Sequence, residues 1–122
     1  VWDVHGGGMP PEPIFRVLRS LAIDHPLPPR SDVSGKAELL RLWQEAGLRD
    51  IEQQVFTVER RFESFDDFWD ITTSSASLTR IFTEIKHDIL QDIRQRLRED
   101  LPTADDGSIT YSAHANAIKG VV

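Results

Sequence analysis

The sequence predicts an α/β fold in which strands alternate with amphipathic helices. An apolar run opens the chain before a glycine turn, several segments show helical periodicity, and two later segments are rich in strand-forming residues. The predicted order is strand, helix, helix, strand, helix, helix, strand. The 122 residues are enough for one domain. A helical connection between the first two strands allows a parallel crossover, which is right-handed in such folds.

The first element is a predicted buried strand, Val1–Val4, which the glycines at 6–8 end. A strand at the first residue indicates an internal strand of a larger sheet. Prolines 10, 11 and 13 suit the first turn of a helix. That helix is predicted over residues 13–22, because apolar residues recur there at helical spacing. A stiff, extended connector with three prolines follows at residues 25–29.

Ser34 is the predicted N-cap of a second helix that runs to Leu48, and Gly47 is its natural stop. Residues 50–62 follow as a strand, rich in β-branched and aromatic residues. Many charged and amide side chains lie between them, which is typical of a strand near the edge of a sheet.

Ser64 is predicted to cap a third helix, with Asp67 three residues later as in a capping box. A polar run at 72–75 ends that helix. A continuous apolar stripe then predicts one long helix from Ser77 to Leu101, which Pro102 stops. A turn at residues 105–107 leads into the last strand, residues 109–118. Its alanines 113, 115 and 117 lie on one side, and its polar residues on the other.

Composition excludes several classes of function. The net charge of −6 and the pI of about 5.1 argue against a nucleic-acid-binding surface. The absence of cysteine excludes disulfides, thiolate metal sites and a cysteine nucleophile. The four histidines are scattered, so no metal site is expected. No apolar run is long enough to span a membrane, and a domain without cysteine suits the cytoplasm.

Two features near the N-terminus each allow two interpretations. The backbone N–H groups of His5–Gly8 can cradle an anion, or the glycines only let the chain leave the sheet tightly. Asp3 lies at the carboxyl end of a predicted strand, where open α/β sheets place ligands. Its carboxylate is therefore either a general base or a turn cap.

The segment Phe65–Asp70 mixes aromatic and acidic residues. Its ring faces can wall a pocket for a cationic or aromatic molecule. Alternatively, it is an amphipathic helix with a buried aromatic face and acidic residues that complement the helix dipole. The nearby serines lack the Gly-x-Ser-x-Gly context of a hydrolase, so no nucleophilic serine is predicted.

The order of the pieces resembles the C-terminal half of a class I S-adenosylmethionine-dependent methyltransferase of the small-molecule type. The pieces are Val1-Trp2-Asp3-Val4 before Gly7-Gly8-Met9, then Ala46-Gly47-Leu48 before a strand, Phe65-Asp66-Asp67-Phe68-Trp69, an Arg-rich helix at residues 93–101, and Asp106-Gly107-Ser108-Ile109 before the last strand. The resemblance spans nearly the whole chain.

The resemblance implies a Rossmann-like sheet of seven mostly parallel strands with helices on both faces. This chain would supply three of those strands and about four helices, as a single partial domain over residues 1–122. Its strands would correspond to the family's fifth, sixth and seventh. The last strand of the family runs antiparallel and inserts between the fifth and the sixth.

The family binds its cofactor beside a glycine-rich loop after an early strand, and this chain has no such loop. The resemblance therefore carries over no S-adenosylmethionine ligand and no catalytic residue. It carries over the side that covers the methyl acceptor, with Trp2, Asp3, Met9, Phe68 and Trp69 as candidate binding residues. The expected function is the acceptor-side portion of a methyltransferase for a small molecule, inactive alone.

The alternative expectation is a stand-alone interaction module derived from the same fold. Without the first four strands, the edge of Val1–Val4 and apolar helix faces would be uncovered. The expected partners are therefore a second copy in a homodimer or the missing N-terminal half. A binding protein for a small ligand, built on the aromatic residues, is the third hypothesis.

Overall fold

The computed structural model describes residues 1–122 and contains five α-helices, a short 3₁₀ helix and two strands. These elements are α1 (Glu12–Ser20), the 3₁₀ helix (Ser31–Val33), α2 (Lys36–Glu45), β1 (Arg49–Phe62), α3 (Phe65–Thr73), α4 (Ala76–Glu84), α5 (His87–Asp100) and β2 (Ile109–Val121). The α/β class is confirmed at this level. No helix combines the length and the apolar character needed to cross a membrane.

The chain divides into two compact units. The first unit contains the N-terminal turn, the 3₁₀ helix, α2 and most of both strands, in residues Val1–Pro10, Leu27–Val58 and Ser112–Val122. The second unit contains α1 and the helices α3 to α5, in residues Pro11–Pro26 and Glu59–Tyr111.

Within the first unit, β2 has a neighbour on each edge. On one edge it forms an antiparallel ladder with β1, which the ion pair between Lys119 and Glu52 spans at 3.0 Å. On its other edge an antiparallel bridge joins Trp2 to Ala115. The opening residues of the chain and β1 consequently run parallel to each other, with β2 between them.

The first predicted strand needs correction. Val1–Val4 forms a single bridge and no continuous strand, so the described sheet has two strands where three were expected. Val1 is exposed and Trp2 is 39 % exposed, although the pattern predicted burial. The segment bridges β2 alone, so its outer edge has no strand beside it.

The predicted long helix is also wrong, because α4 and α5 are separate helices. Ile85 and Lys86 between them have extended backbone angles. Apolar residues spaced four apart drift by about 40° per step around a helix of 3.6 residues per turn. On a single straight helix, the apolar residues at the two ends would therefore lie on different faces. The break changes the direction of the chain, and Ile93 and Leu97 on α5 are buried. The break raises the helix count to five from the four expected.

The start of α2 differs from the prediction by one residue. Gly35, and not Ser34, occupies the N-cap. The Ser34 hydroxyl instead accepts a hydrogen bond from the backbone N–H of Val4 at 3.1 Å and donates one to the Ser31 carbonyl at 2.7 Å. The helix ends at Glu45, before the predicted Leu48. Gly47, the predicted stop, follows with a φ of +80°, in the left-handed region where glycine has no steric penalty.

The core of the first unit is thin. Leu39 and Ala113 are its only buried apolar side chains, and the apolar stripe of α2 leaves Leu42 exposed. The buried polar residue Asn116 donates a hydrogen bond to the Ser34 carbonyl at 2.9 Å. This hydrogen bond holds the connection between the 3₁₀ helix and α2 to β2, but an amide side chain adds little hydrophobic stabilisation.

The second unit has a well-filled core. Its buried apolar side chains come from every helix of the unit, and they are Ile14, Phe15, Val17, Leu18, Phe62, Phe65, Phe68, Trp69, Leu78, Ile93, Leu97, Leu101 and Ile109. An ion pair between Arg16 and Asp100 joins α1 to α5 at 3.0 Å. At the turn before β2, the Ser108 hydroxyl and N–H hold the pKa of Asp106 below its usual range, and Arg61 adds to this effect.

The N-cap of α3 gives a first testable prediction. The Ser64 hydroxyl accepts a hydrogen bond from the Asp67 N–H at 3.1 Å, as the sequence predicted. Replacing Ser64 by alanine removes this bond and should lower the free energy of unfolding by about 1 kcal/mol. The matched control is Ser75→Ala, since Ser75 caps α4 without a side-chain hydrogen bond. Urea denaturation measures both, and equal effects of the two variants would contradict the assignment.

Candidate functional site

The five predicted site residues belong to two units of the structure. Trp2, Asp3 and Met9 lie in the first unit, and Phe68 and Trp69 lie in the second. In the first unit, residues Asp3–Gly8 form the N-terminal turn.

The carboxylate of Asp3 caps the N-terminal turn. Its Oδ1 accepts a hydrogen bond from the Gly6 N–H at 2.9 Å, and its backbone carbonyl accepts one from the Gly8 N–H at 2.7 Å. Asp3 was interpreted as either a general base or a turn cap, and these bonds are those of a turn cap. The same bonds occupy the N–H groups of Gly6 and Gly8, so these two groups do not point at a ligand.

The side chain of Asp3 has a second neighbour that sequence reasoning missed. The Nε2 of His114, on β2, lies 3.5 Å from Asp3 Oδ2, and both side chains are partly exposed. An imidazole beside a carboxylate is the arrangement that orients histidine for proton transfer. Residues 3 and 114 are far apart in the sequence, so only the pairing of the N-terminus with β2 brings them together.

Backbone contacts fix this pair. The Asp3 N–H donates to the His114 carbonyl at 3.2 Å, and the His114 N–H donates to the Gly8 carbonyl at 3.0 Å. Gly8 is buried, and a Cβ added there would collide with the His114 carbonyl oxygen and lie 2.9 Å from the ring Cδ2. The glycine is therefore needed for the close approach of the turn to β2, which is the second of the interpretations given for this motif.

Trp2 and Met9 flank the N-terminal turn on either side along the chain. Trp2 is bridged to Ala115 and remains 39 % exposed, so part of its indole can contact another molecule. Met9 is half-buried. Three of the site residues therefore lie in one short stretch of the chain, Trp2–Met9. The fourth, His114, lies on the part of β2 that pairs with this stretch.

Phe68 lies in the core of the second unit. It is completely buried, with its ring edge-on to Phe62 at a centroid distance of 5.4 Å and to Tyr111 at 5.8 Å. Burial raises the pKa of the Tyr111 phenol in the same cluster. Phe68 therefore has no ring face free for a ligand. Its packing agrees with the second interpretation of Phe65–Asp70, an amphipathic helix with a buried aromatic face.

Trp69 is also buried and is packed against an aromatic ring and a guanidinium. Phe82 stacks on it at a centroid distance of 5.2 Å, and the guanidinium of Arg94 lies 4.9 Å from the ring centroid. Arg94 and Arg98 both approach Phe65, and both contact one carboxylate oxygen of Asp66, at 3.1 and 3.4 Å. The cation that Trp69 binds here is therefore the chain's own arginine.

Surface cavities occur away from the predicted site residues. One of about 260 Å³ lies along β1 and β2 and is lined by Glu52, Gln53, Gln54, Phe56, Ala117, Ile118 and Lys119. Another of about 350 Å³ lies between α1 and α5, with Arg16, Val17, Ser20, Arg96, Glu99 and Asp100 around it. The first is smaller than a usual small-molecule site of about 300–1,000 Å³, and the second is near the small end of that range.

No three histidine, aspartate or glutamate side chains converge to hold a metal ion. In the N-terminal turn, the N–H groups of Gly6 and Gly8 are bonded to Asp3, and Gly8 packs on His114.

No protein-family model matches this chain, and no curated protein matches it significantly.

Proposed function

We propose that the chain is the C-terminal, acceptor-side portion of an S-adenosylmethionine-dependent methyltransferase that acts on a small molecule, and that it is inactive alone. The observation that carries this proposal is the position of β2. It lies between the opening segment and β1 and is antiparallel to both. The sequence resemblance implies this order for the fifth, seventh and sixth strands of the methyltransferase sheet.

The thin core of the first unit supports the same proposal. Two buried apolar side chains contribute little of the hydrophobic stabilisation that offsets the conformational entropy lost on folding. The outer edge of Val1–Asp3 and the exposed Leu42 on α2 are surfaces that further strands and helices of a larger sheet would cover. In this proposal, the first unit is completed by the cofactor-binding half.

The acceptor side is assigned to the N-terminal turn and its partner on β2. Trp2 offers an exposed ring surface, and Asp3 with His114 offers a carboxylate and an imidazole that can hold a proton from the acceptor. Met9 remains in the proposal as a residue next to this turn, and Phe68 and Trp69 remain candidate binding residues within the second unit. A rearrangement of α3 would be needed before the Phe68 ring could touch a ligand, because it is completely buried.

Cofactor binding tests this proposal. Calorimetric titration of S-adenosylmethionine into the purified 122-residue chain should show no binding, and a methyl-transfer assay should show no product. The protein isolated from its native host should bind the cofactor. Methyl transfer by the purified 122-residue chain, or a native protein that does not bind S-adenosylmethionine, would overturn the proposal.

A second candidate function is that of a dimeric interaction module. It is favoured by one specific observation, the exposure of Val55, Phe56 and Val58 on a strand with a free edge. Exposed apolar residues grouped in this way are typical of a protein interface.

A further inference from the structure

The middle of β1 is an uncharged, exposed stretch of strand. Residues Gln53–Val58, here named the β1 centre, contain no charged residue, proline or glycine. Three of its apolar side chains are exposed, Val55 at 44 %, Phe56 at 53 % and Val58 at 52 %. Strand residues of this composition pair readily with another strand.

The β1 centre also has an unprotected edge. The sheet consists of β1 and β2, so β2 satisfies one edge of β1 and the other edge has no strand beside it. Proteins protect such edges with lysine, proline or inward-pointing charges, and the β1 centre has none of these. Charged residues stand only at its two ends, Glu52 before it and Glu59 to Arg61 after it.

We propose that a second copy of this chain pairs with the free edge of β1, in an antiparallel arrangement with a two-fold axis at Phe56. The argument for a second copy is charge complementarity. With Phe56 opposite Phe56, residues equally distant from it face each other, so Glu52 of each copy faces Arg60 of the other. No pair of like charges occurs between the two strands in this register.

Registers shifted towards the start of β1 are less favourable. A shift that centres the pairing on Val55 places Arg49 opposite Arg61, and a shift to Gln54 places each Phe56 opposite Glu52. Like charges directly opposite each other destabilise a sheet, whereas paired aromatic rings stabilise it. The arrangement is isologous, so it closes as a dimer and leaves no further copy of the same edge free.

The dimer contact therefore lies on β1 and not on Val1–Val4, where the sequence placed it. Val1–Val4 offers one bridged residue, whereas β1 is a strand of 14 residues. The contact is independent of the methyltransferase proposal, because Val1–Asp3 stays free to pair with a larger sheet. A failure of cofactor binding in the native protein would therefore leave the dimer contact unaffected.

Sedimentation of the chain over a range of concentrations tests the contact. The wild-type chain should change from monomer to dimer as concentration rises, and Phe56→Asp should stay a monomer. Leu27→Asp is the control, since Leu27 is 43 % exposed outside β1, and it should dimerise normally. A wild-type chain that is monomeric at all concentrations, or a Phe56→Asp variant that dimerises, would overturn the proposal.

Charge exchange at two exposed positions of β1 tests the register, and the ion pair that Glu52→Arg removes, with Lys119, is itself exposed to solvent. In the dimer of Glu52→Arg, each new arginine faces Arg60 of the other copy, and in the dimer of Arg60→Glu each new glutamate faces Glu52. Each variant should therefore weaken its own dimer about tenfold. An equal mixture of the two variants should dimerise as a heterodimer, because both cross-strand pairs then have opposite charges. Equal self-association of each variant and of the mixture would rule out this register.

Discussion

Replacing Phe68 by alanine should lower the free energy of unfolding by about 4 kcal/mol, the usual cost of removing a buried aromatic ring. The ring is completely buried between Phe62, Phe65 and Tyr111, and its loss would leave a cavity in the core of the second unit. A domain of this size has a total stability of about 5–15 kcal/mol, so the variant would be close to unfolding.

Urea denaturation followed by circular dichroism measures this effect. Phe56→Ala is the matched control, because the same change at a half-exposed ring on β1 should cost much less than Phe68→Ala. Measurement at a concentration at which the chain is monomeric keeps the dimer contact out of the comparison. A Phe68→Ala variant as stable as the control would mean that Phe68 is not a core residue and that its ring is available to a ligand.

Replacing Gly8 by alanine should destabilise the first unit by about 3 kcal/mol. The added Cβ would collide with the His114 carbonyl oxygen, which is backbone and cannot rotate away. Relief of the collision must separate the N-terminal turn from β2, with loss of the bonds that Asp3, Gly8 and His114 exchange.

Amide hydrogen exchange reports this change directly. In the Gly8→Ala variant, the backbone amides of residue 8 and of His114 should exchange faster than in the wild-type chain. The amides of the second unit should be unaffected. Gly35→Ala is the control in the same unit, because its φ is −70° and its added Cβ would meet only the movable end of the Glu38 side chain. Unchanged protection of His114 in Gly8→Ala would contradict the close packing of the turn on β2.

Local sequence signals predicted most of the elements. Ser64 and Asp67 gave the start of α3, Gly47 gave the end of α2, and the β-forming residues of 50–62 gave β1. Each of these signals acts within a few residues, so the sequence contains it completely.

Features that depend on distant residues were harder to predict. The apolar stripe of residues 78–97 continues across the break at Ile85 and Lys86, without a proline or glycine to mark it. The burial of Asn116 depends on the Ser34 carbonyl, 82 positions earlier in the chain. Alternation along the strand placed Asn116 on the polar side, and that pattern cannot show a buried hydrogen bond.

The residues of the candidate site also differ in whether local sequence signals could predict their contacts. Asp3 was predicted from its position at the end of an apolar run, and its capping bond to Gly6 is local. Its neighbour His114 was missed, because the contact requires β2 to lie beside the opening segment. Phe68 and Trp69 were predicted from their aromatic character, which does not distinguish a pocket wall from a core.

The intact mass of the protein as its native host produces it tests the central proposal most directly. If the opening segment, β2 and β1 are the end of a methyltransferase sheet, the native species should be well above 13.9 kDa and should contain a glycine-rich cofactor loop before Val1. A native species of 13.9 kDa would contradict that proposal, and the dimeric interaction module would then be the function that the structure supports best.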